Sequence, residues 1–280
     1  MPLPLEKVKR LKVGEIPYLN CAPIFHTLRK FVDRRRYSFV RGTPANLNKL
    51  LARGIIDAAP CSSIEYALHP DRYVLIPDIS ISARGPIKSV LLFSRRPLKE
   101  LNGRPVAITP ASASGAMLLQ IIFKKFLGFS PCFVHSQRVV SSIPGNCDAA
   151  LVIGDNALKN KKTAPYVIDL GIVWKAWTRT YCVFSLWIAR RDAFECSPAS
   201  FQRLHSDLFA AKTIAAAHLP QLAREFHRLE WMTKHELIDY WKTISFDLGA
   251  SHIKGLKTFY RYAHEIKGIR RVPPLKFIVT

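Results

Sequence analysis

The chain has 280 residues, 49% of them hydrophobic and 22% charged, which supplies a core for one large domain or two medium ones and excludes a mainly disordered chain. Only 13 glycines exclude a collagen-like or linker-like polymer. Lys and Arg number 42 against 20 Asp and Glu, a formal net charge of +22, so the protein attracts anions: nucleic acid, acidic membrane and a small carboxylate all suit that field. The basic residues are scattered. Their densest clusters, Arg34-Arg35-Arg36, residues 159–162 and Arg270-Arg271, are short enough to be parts of a solvated face.

The six cysteines, at 21, 61, 132, 147, 182 and 196, contain no pair with the two-residue gap of a zinc or thioredoxin-like site. They read as reduced, mostly buried thiols of a cytoplasmic protein, with no metal site. Residues 1–12 are basic but hold no apolar run of signal-peptide length. No stretch reaches the roughly 18 apolar residues of a membrane span. A soluble, non-exported protein without a membrane partner is the expectation.

In chain order, residues 11–16 form a strand. Pro23 sits in the first turn of a helix whose stripe is Ile24, Leu28, Phe31 and Val32. Residues 37–41 are a second strand. Pro44 opens a helix with Leu47, Leu50 and Leu51 inward and Gly54 after its end. A short strand at 57–60 leads to a helix through Ile64, Tyr66 and Leu68, capped by Ser62 or Ser63. Strands follow at 73–77 and 87–94. Strands alternating with helices imply a parallel-rich α/β sheet, with ligands held beyond the strand C-termini.

Arg95-Arg96-Pro97 reads as a boundary, after which the pattern restarts. A helical turn at 98–101, a strand at 106–109, an apolar helix at 116–127 and strands at 132–134, 149–153 and 166–170 follow. The strand at 183–189 is placed to carry the chain back to the first lobe, and residues 192–267 are helical. The expected fold is α/β and two-lobed with a ligand cleft between lobes. Residues 1–94 with 190–280 are assigned to lobe 1, and 95–189 to lobe 2.

Neutral polar groups mark the loops where such a cleft would lie. Asn20, in Ile16-Pro17-Tyr18-Leu19-Asn20, is either a helix cap or a side chain that both donates to and accepts from a guest. Thr109-Pro110-Ala111-Ser112-Ala113-Ser114-Gly115 leads into a helix whose first N–H groups are unpaired, which suits either an anion or a plain serine cap. Ser62-Ser63 is a similar pair. Ser89 is a hydroxyl at the start of an apolar strand and must bond either backbone or ligand. Asp155 follows a strand and either faces the cleft or caps a helix. There is no nucleophile elbow, phosphate-cradling loop or metal-like His pair.

Several ordered segments together resemble one family, the chorismate dehydratases of the futalosine route to menaquinone. They include Gly14-Glu15-Ile16-Pro17-Tyr18-Leu19-Asn20-Cys21-Ala22-Pro23, Gly42-Thr43-Pro44-Ala45-Asn46, Pro60-Cys61-Ser62-Ser63-Ile64-Glu65-Tyr66, Ser112-Ala113-Ser114, Ile153-Gly154-Asp155-Asn156-Ala157-Leu158 and Asp169-Leu170-Gly171. Residues 77–83 and 89–94, Trp174 with Trp177, and residues 255–260 extend the likeness over nearly the whole chain. The turn at Arg179-Thr180-Tyr181-Cys182 departs from it, since the family more often has a Gly-Leu-Pro-like turn there.

The resemblance implies a type 2 periplasmic-binding-protein fold used as a cytoplasmic carbon–oxygen lyase without a cofactor. Its reaction would convert chorismate to 3-[(1-carboxyvinyl)oxy]benzoate and water. Motif matching assigns Asn20 and Ser89 to catalysis. It assigns substrate contacts to Tyr18, Ser62, Ser63, Thr109, Ser112, Ala113, Ser114 and Asp155. The competing readings are a non-catalytic binding protein for a small carboxylate, a dihydroxynaphthoate synthase, a nucleic-acid binder suggested by charge alone, and the effector lobe of a transcription regulator. The absence of a signal segment, of a Ser-Pro-Cys-Pro-Asn-like opening, of nucleic-acid-binding motifs and of N-terminal DNA-binding helices argues against each in turn.

Overall fold

The computed structural model describes residues 10–32, 35–226 and 229–279. Arg34 of the first basic cluster and residues 1–9 of the basic N-terminus lie outside them. Two five-stranded sheets make two lobes. The first has the order β2-β1-β3-β10-β4, from β1 (Leu11–Glu15), β2 (Tyr37–Arg41), β3 (Ala58–Ser62), β4 (Tyr73–Ala83) and β10 (Cys182–Arg190). The second has the order β7-β6-β8-β5-β9, from β5 (Val90–Ser94), β6 (Pro105–Ile108), β7 (Cys132–His135), β8 (Ala149–Ile153) and β9 (Tyr166–Asp169).

In the first lobe β1, β2 and β3 are parallel, joined through α1 (Ala22–Phe31) and α2 (Pro44–Ala52); α3 (Ser63–Leu68) links β3 to β4. In the second, β6, β7 and β8 are parallel, served by α4 (Ala113–Ile121), α5 (Gly154–Asn160) and α6 (Leu170–Thr178). The remaining helices are α7 (Arg191–Cys196), α8 (Pro198–Ala217), α9 (Leu219–Glu225), α10 (Lys234–Trp241) and α11 (Ala250–Glu265). Among the described residues no helix is long and apolar enough to cross a membrane.

The expected parallel bias is broken by one strand per sheet. β10 runs antiparallel to β3 and β4, and β5 antiparallel to β8 and β9. These are the first strands made after each crossing between lobes. The crossings therefore fall at residues 84–89 and 179–181, not at the expected 94/95 and 189/190. Arg95-Arg96-Pro97 marks a loop inside the second sheet. Strands β5 and β8 are buried on both faces, which explains their unbroken apolar runs. Along β5 the period of two divides the core: Leu91 and Phe93 join Val152 and Ala150 on one face, while Val90 and Leu92 join the main cluster on the other.

Helix stripes fray at their ends. Phe31 and Leu68, expected inside, are 60% and 47% exposed. The helix expected from 116 begins at Ala113, because Ser112 caps it, and its last turn widens into a π-helical segment over Ile122–Leu127.

Both crossings are fastened to α6. The Asp169 carboxylate, at the helix N-cap, accepts N–H bonds from Ile87 (3.0 Å), Lys88 (2.7 Å), Gly171 (2.8 Å) and Ile172 (3.3 Å). Gly85 and Lys88 hold positive φ at that crossing, 131° and 61°. The fully buried Trp174 donates its indole N–H to Thr180 Oγ1 (3.2 Å) and to the Tyr181 carbonyl (3.1 Å), fixing the other. Asp169→Ala leaves the Ile87 and Lys88 amides without an acceptor. Urea unfolding is expected to show about 3 kcal/mol less stability; a loss below about 0.5 kcal/mol would contradict this role.

Candidate functional site

The ends of the strands meet the helices at the junction of the lobes and enclose a cleft of about 520 Å³, counted with its open mouth. Ile16, Tyr18, Asn20, Pro44, Ser62, Ile81, Phe184 and Ser185 line it from the first lobe. Val90, Ser112, Ile153 and Gly154 line it from the second, with Ile87 and Ser89 from the crossing before β5. Among the described residues none of the lining side chains is charged.

Helix starts account for much of this wall. Asn20 lies just before α1, Pro44 opens α2, Ser62 precedes α3, Ser112 is the N-cap of α4 and Gly154 opens α5. Of the three helices of nine or ten residues that begin here, α4 leaves the first amides of Ala113 and Ser114 without a partner among the described residues. In α1 the Ala22 and Ile24 amides bond the Leu19 and Cys21 carbonyls, and in α2 the Asn46 amide bonds Thr43 Oγ1; each start still carries partial positive charge. These starts add partial positive charge to a cleft whose lining, among the described residues, has no cationic side chain.

Asn20 is held in place through the residue before it. The Leu19 amide donates to Asp155 Oδ1 (3.0 Å), and the Leu19 carbonyl accepts from Trp241 Nε1 (2.7 Å). Asn20 is not the helix cap: that position is Cys21, which makes no side-chain cap bond. The Asn20 side-chain oxygen is buried and has no hydrogen-bond partner among the described residues. A buried amide oxygen in a cavity wall is costly unless it is hydrogen-bonded, so it suits a polar guest.

Ser89 is 3% exposed, and its hydroxyl makes a long bond to the Ile87 carbonyl (3.3 Å). The Tyr240 hydroxyl stands beside it, buried and without a partner of good hydrogen-bond geometry; burial pushes its ionisation well above the usual tyrosine value. Ser112 Oγ accepts from Gly115 N (3.0 Å), which leaves its proton for a guest. Ser62 lines the cleft, and its hydroxyl has no hydrogen-bond partner among the described residues.

The other expected site residues lie behind the wall. Ser63 donates to the Val183 carbonyl (2.7 Å) and lies 3.0 Å from Ser114 Oγ, which also accepts from Ile64 N (3.1 Å). With the Ser63 proton on Val183, Ser114 donates to Ser63, and the pair joins α3 to α4 across the lobes. Thr109 Oγ1 is occupied by the Ala111 and Val140 amides (3.3 and 3.4 Å), so it shapes the loop. Ala113 is exposed and outside the lining, leaving its backbone N–H as its only polar donor to the helix start. Asp155 acts through Leu19, a second bond across the lobes. Burial raises its pKa above the ordinary aspartate value, against the lowering effect of the Leu19 N–H.

Three contributors were not read from the sequence. Ser185 lines the cleft with its proton on the Cys61 carbonyl (2.7 Å), so it can only accept. It interrupts the apolar run 183–189, the same signal that marked Ser89. Gly154 has φ of 64°, and a Cβ there would lie 3.1 Å from the Tyr18 ring, so it is the platform on which Tyr18 rests. Trp241 is distant in sequence and gives no local signal. Among the described residues no cluster of three or more His, Cys, Asp or Glu side chains could hold a metal ion.

The family whose description is menaquinone biosynthesis matches residues 11–265. This chain belongs to that family. A relative in Thermus thermophilus, a chorismate dehydratase, is 30% identical over 192 residues, 62% of this chain and 68% of the relative. A solved structure from Archaeoglobus fulgidus superposes with a TM-score of 0.73 at 17% identity, over 94% of this chain and 100% of that one. The alkanesulfonate-binding protein of Xanthomonas axonopodis gives 0.68 at 13% identity, over 96% of each chain. These structures share the two-lobed periplasmic-binding-protein fold, as the sequence resemblance implied.

Two outcomes test the positioning of the Tyr18-Leu19-Asn20 loop. Gly154→Ala adds a Cβ against Tyr18 at a positive φ and is expected to cost about 1 kcal/mol or more in urea unfolding; an unchanged midpoint would contradict the platform role. Asp155→Asn keeps the acceptor for Leu19 N–H and removes the charge. Because the folded-state pKa of Asp155 is raised, folding binds a proton more readily, and wild-type stability falls as pH rises from the ordinary aspartate value, about 3.9, through the raised one. The Asn variant is therefore expected to equal or exceed wild type at pH 7, with the gap closing in acid. A variant clearly less stable at pH 7 would contradict this.

Proposed function

We propose that the protein is a chorismate dehydratase acting in the cytoplasm, converting chorismate to 3-[(1-carboxyvinyl)oxy]benzoate and water for menaquinone biosynthesis. Family membership and the named relative support the reaction. The observation that carries the site assignment is that Asn20, with its unpaired buried oxygen, and Ser89 line one cavity with Ser112 and Ser62.

Chorismate has two carboxylates and a non-aromatic ring. Burying a dianion is costly unless donors replace its water. In this reading one carboxylate lies at the start of α4, accepting from the Ser112 hydroxyl and the first-turn amides of Ala113 and Ser114; Ser62 supplies a further hydroxyl. Ile16, Ile81, Ile87, Val90, Ile153 and Phe184 surround the ring and exclude water. The carboxylate of the enolpyruvyl arm takes the ring proton, and the C–H electrons form the new ring double bond as the C–O bond of the neighbouring hydroxyl breaks. The abstracted proton passes to that oxygen, which leaves as water and returns the arm to its carboxylate form. Aromatisation supplies the driving force. Asn20 fixes the departing hydroxyl or the arm, and Ser89 orients or protonates through its hydroxyl. The protein's part is to hold one conformer and stabilise developing charge.

Purified protein mixed with chorismate is expected to form the aromatic product, followed by ultraviolet absorbance and mass. Asn20→Asp keeps the size and adds a negative charge, and Ser89→Ala removes the hydroxyl; each is expected to lower turnover by about a hundredfold or more. Unchanged turnover in either variant would remove that residue from the catalytic set. Chorismate bound but unconverted by the wild type would favour the non-catalytic carboxylate-binding reading.

A further inference from the structure

A second cavity of about 610 Å³, counted with its mouth, adjoins the cleft, and Ile16 and Tyr18 line both. Its charged groups differ from those of the cleft. Glu15 is buried at the end of β1 and pairs with both Arg29 and Arg41. One carboxylate facing two guanidiniums leaves one positive charge uncompensated. Arg29 is the committed partner, bonded to Glu15 and lying over the Phe39 ring at 5.6 Å from its centroid. Arg41 approaches Glu15 through Nε at 3.5 Å, longer than a hydrogen bond, and its side chain is 64% exposed. Arg41 ends β2, three residues before Pro44 of the cleft wall. Tyr18, resting on Gly154, stands between the two spaces.

We propose that this second cavity is an encounter vestibule for an anionic guest, in which Arg41 captures one carboxylate before the guest passes Tyr18 into the cleft. The inference rests on the reading that the guest is the chorismate dianion. A cleft walled by neutral groups holds an anion at contact distance but attracts it weakly from outside, because helix-terminus effects fall off within a turn. A full charge at the adjoining surface acts over about a Debye length, and a guanidinium pairs a carboxylate through two parallel N–H bonds. The overall charge of +22 draws anions to the whole surface; Arg41 directs them to a side that shares a wall with the site.

Stopped-flow mixing with chorismate tests this. Tryptophan fluorescence is the readout, since Trp241 bonds the Leu19 carbonyl next to Asn20. Arg41→Gln is expected to slow association by about tenfold at low ionic strength and to flatten its salt dependence, with Arg41→Lys recovering part of the rate. Arg53→Gln removes the same charge from an exposed residue at the other end of α2 and is expected to leave the rate unchanged. Equal rates and salt slopes in the Arg41 and Arg53 variants would overturn the vestibule. Product formation by wild type, followed in parallel, separates the two claims. Product without Arg41 dependence keeps the enzyme and overturns the vestibule. Arg41-dependent association without product keeps the vestibule and overturns the dehydratase reading. No association overturns both.

Discussion

A small dianion can enter a protein interior only if something replaces its water, and among the described residues no cationic side chain lines the cleft to do so. In the proposed reading the replacement comes from neutral side-chain donors, Asn20, Ser62, Ser89 and Ser112, together with the first amides of α4. Three helices of nine or ten residues begin at the cleft, and the residues that open them or lie just before them, Asn20, Pro44 and Ser112, form part of its wall. Each such terminus favours an anion by a fraction of a kcal/mol to about 2 kcal/mol, and the effects converge on one volume. Under the proposed mechanism neutral donors leave the acid–base chemistry to the substrate, because among the described residues no lysine or arginine lines the cleft to neutralise the carboxylate that takes the ring proton.

Such a wall works only if the loops that carry it are rigid, and two half-buried carboxylates provide that rigidity. Asp155 holds the Leu19 amide, while Trp241 holds the Leu19 carbonyl, so the peptide before Asn20 is fixed from both sides. Asp169 gathers four amides at the crossing that precedes Ser89. Burial raises the pKa of each, and the N–H bonds they accept oppose that rise. Both aspartates act at one remove from the reaction: they set where the uncharged groups of the cleft stand. The Ser63–Ser114 pair does the same on the other side by joining α3 to α4.

The fold was legible where local chemistry is decisive. Pro23 and Pro44 near helix starts, Ser112 as a cap and the apolar runs of β5, β8 and β10 all mark their elements. Lobe membership was less legible, because it depends on which strands pair. Val90–Ser94 is a buried strand in either sheet, and only pairing with β8 and β9 assigns it to the second. In the site, a polar residue inside an apolar segment was a sound sign of a wall position at Ser89 and Ser185. Hydroxyls clustered at a helix start were a weaker sign: Ser112 faces the cleft, whereas Ser114, two residues on, faces α3. Contacts across more than a hundred residues, such as Trp241 with Leu19, leave no pattern in the chain to read.

In the proposed reading dipoles and neutral donors, not cationic side chains or apolar packing alone, hold the guest. Comparing the aromatic dicarboxylate product with its dimethyl ester, with dissociation constants read through tryptophan fluorescence, separates these possibilities. The two ligands share a ring and an arm and differ in charge. The account predicts that the dianion binds tighter by about a hundredfold, close to 3 kcal/mol. Equal affinities would mean that the cleft recognises shape and apolar surface only, and would contradict the account.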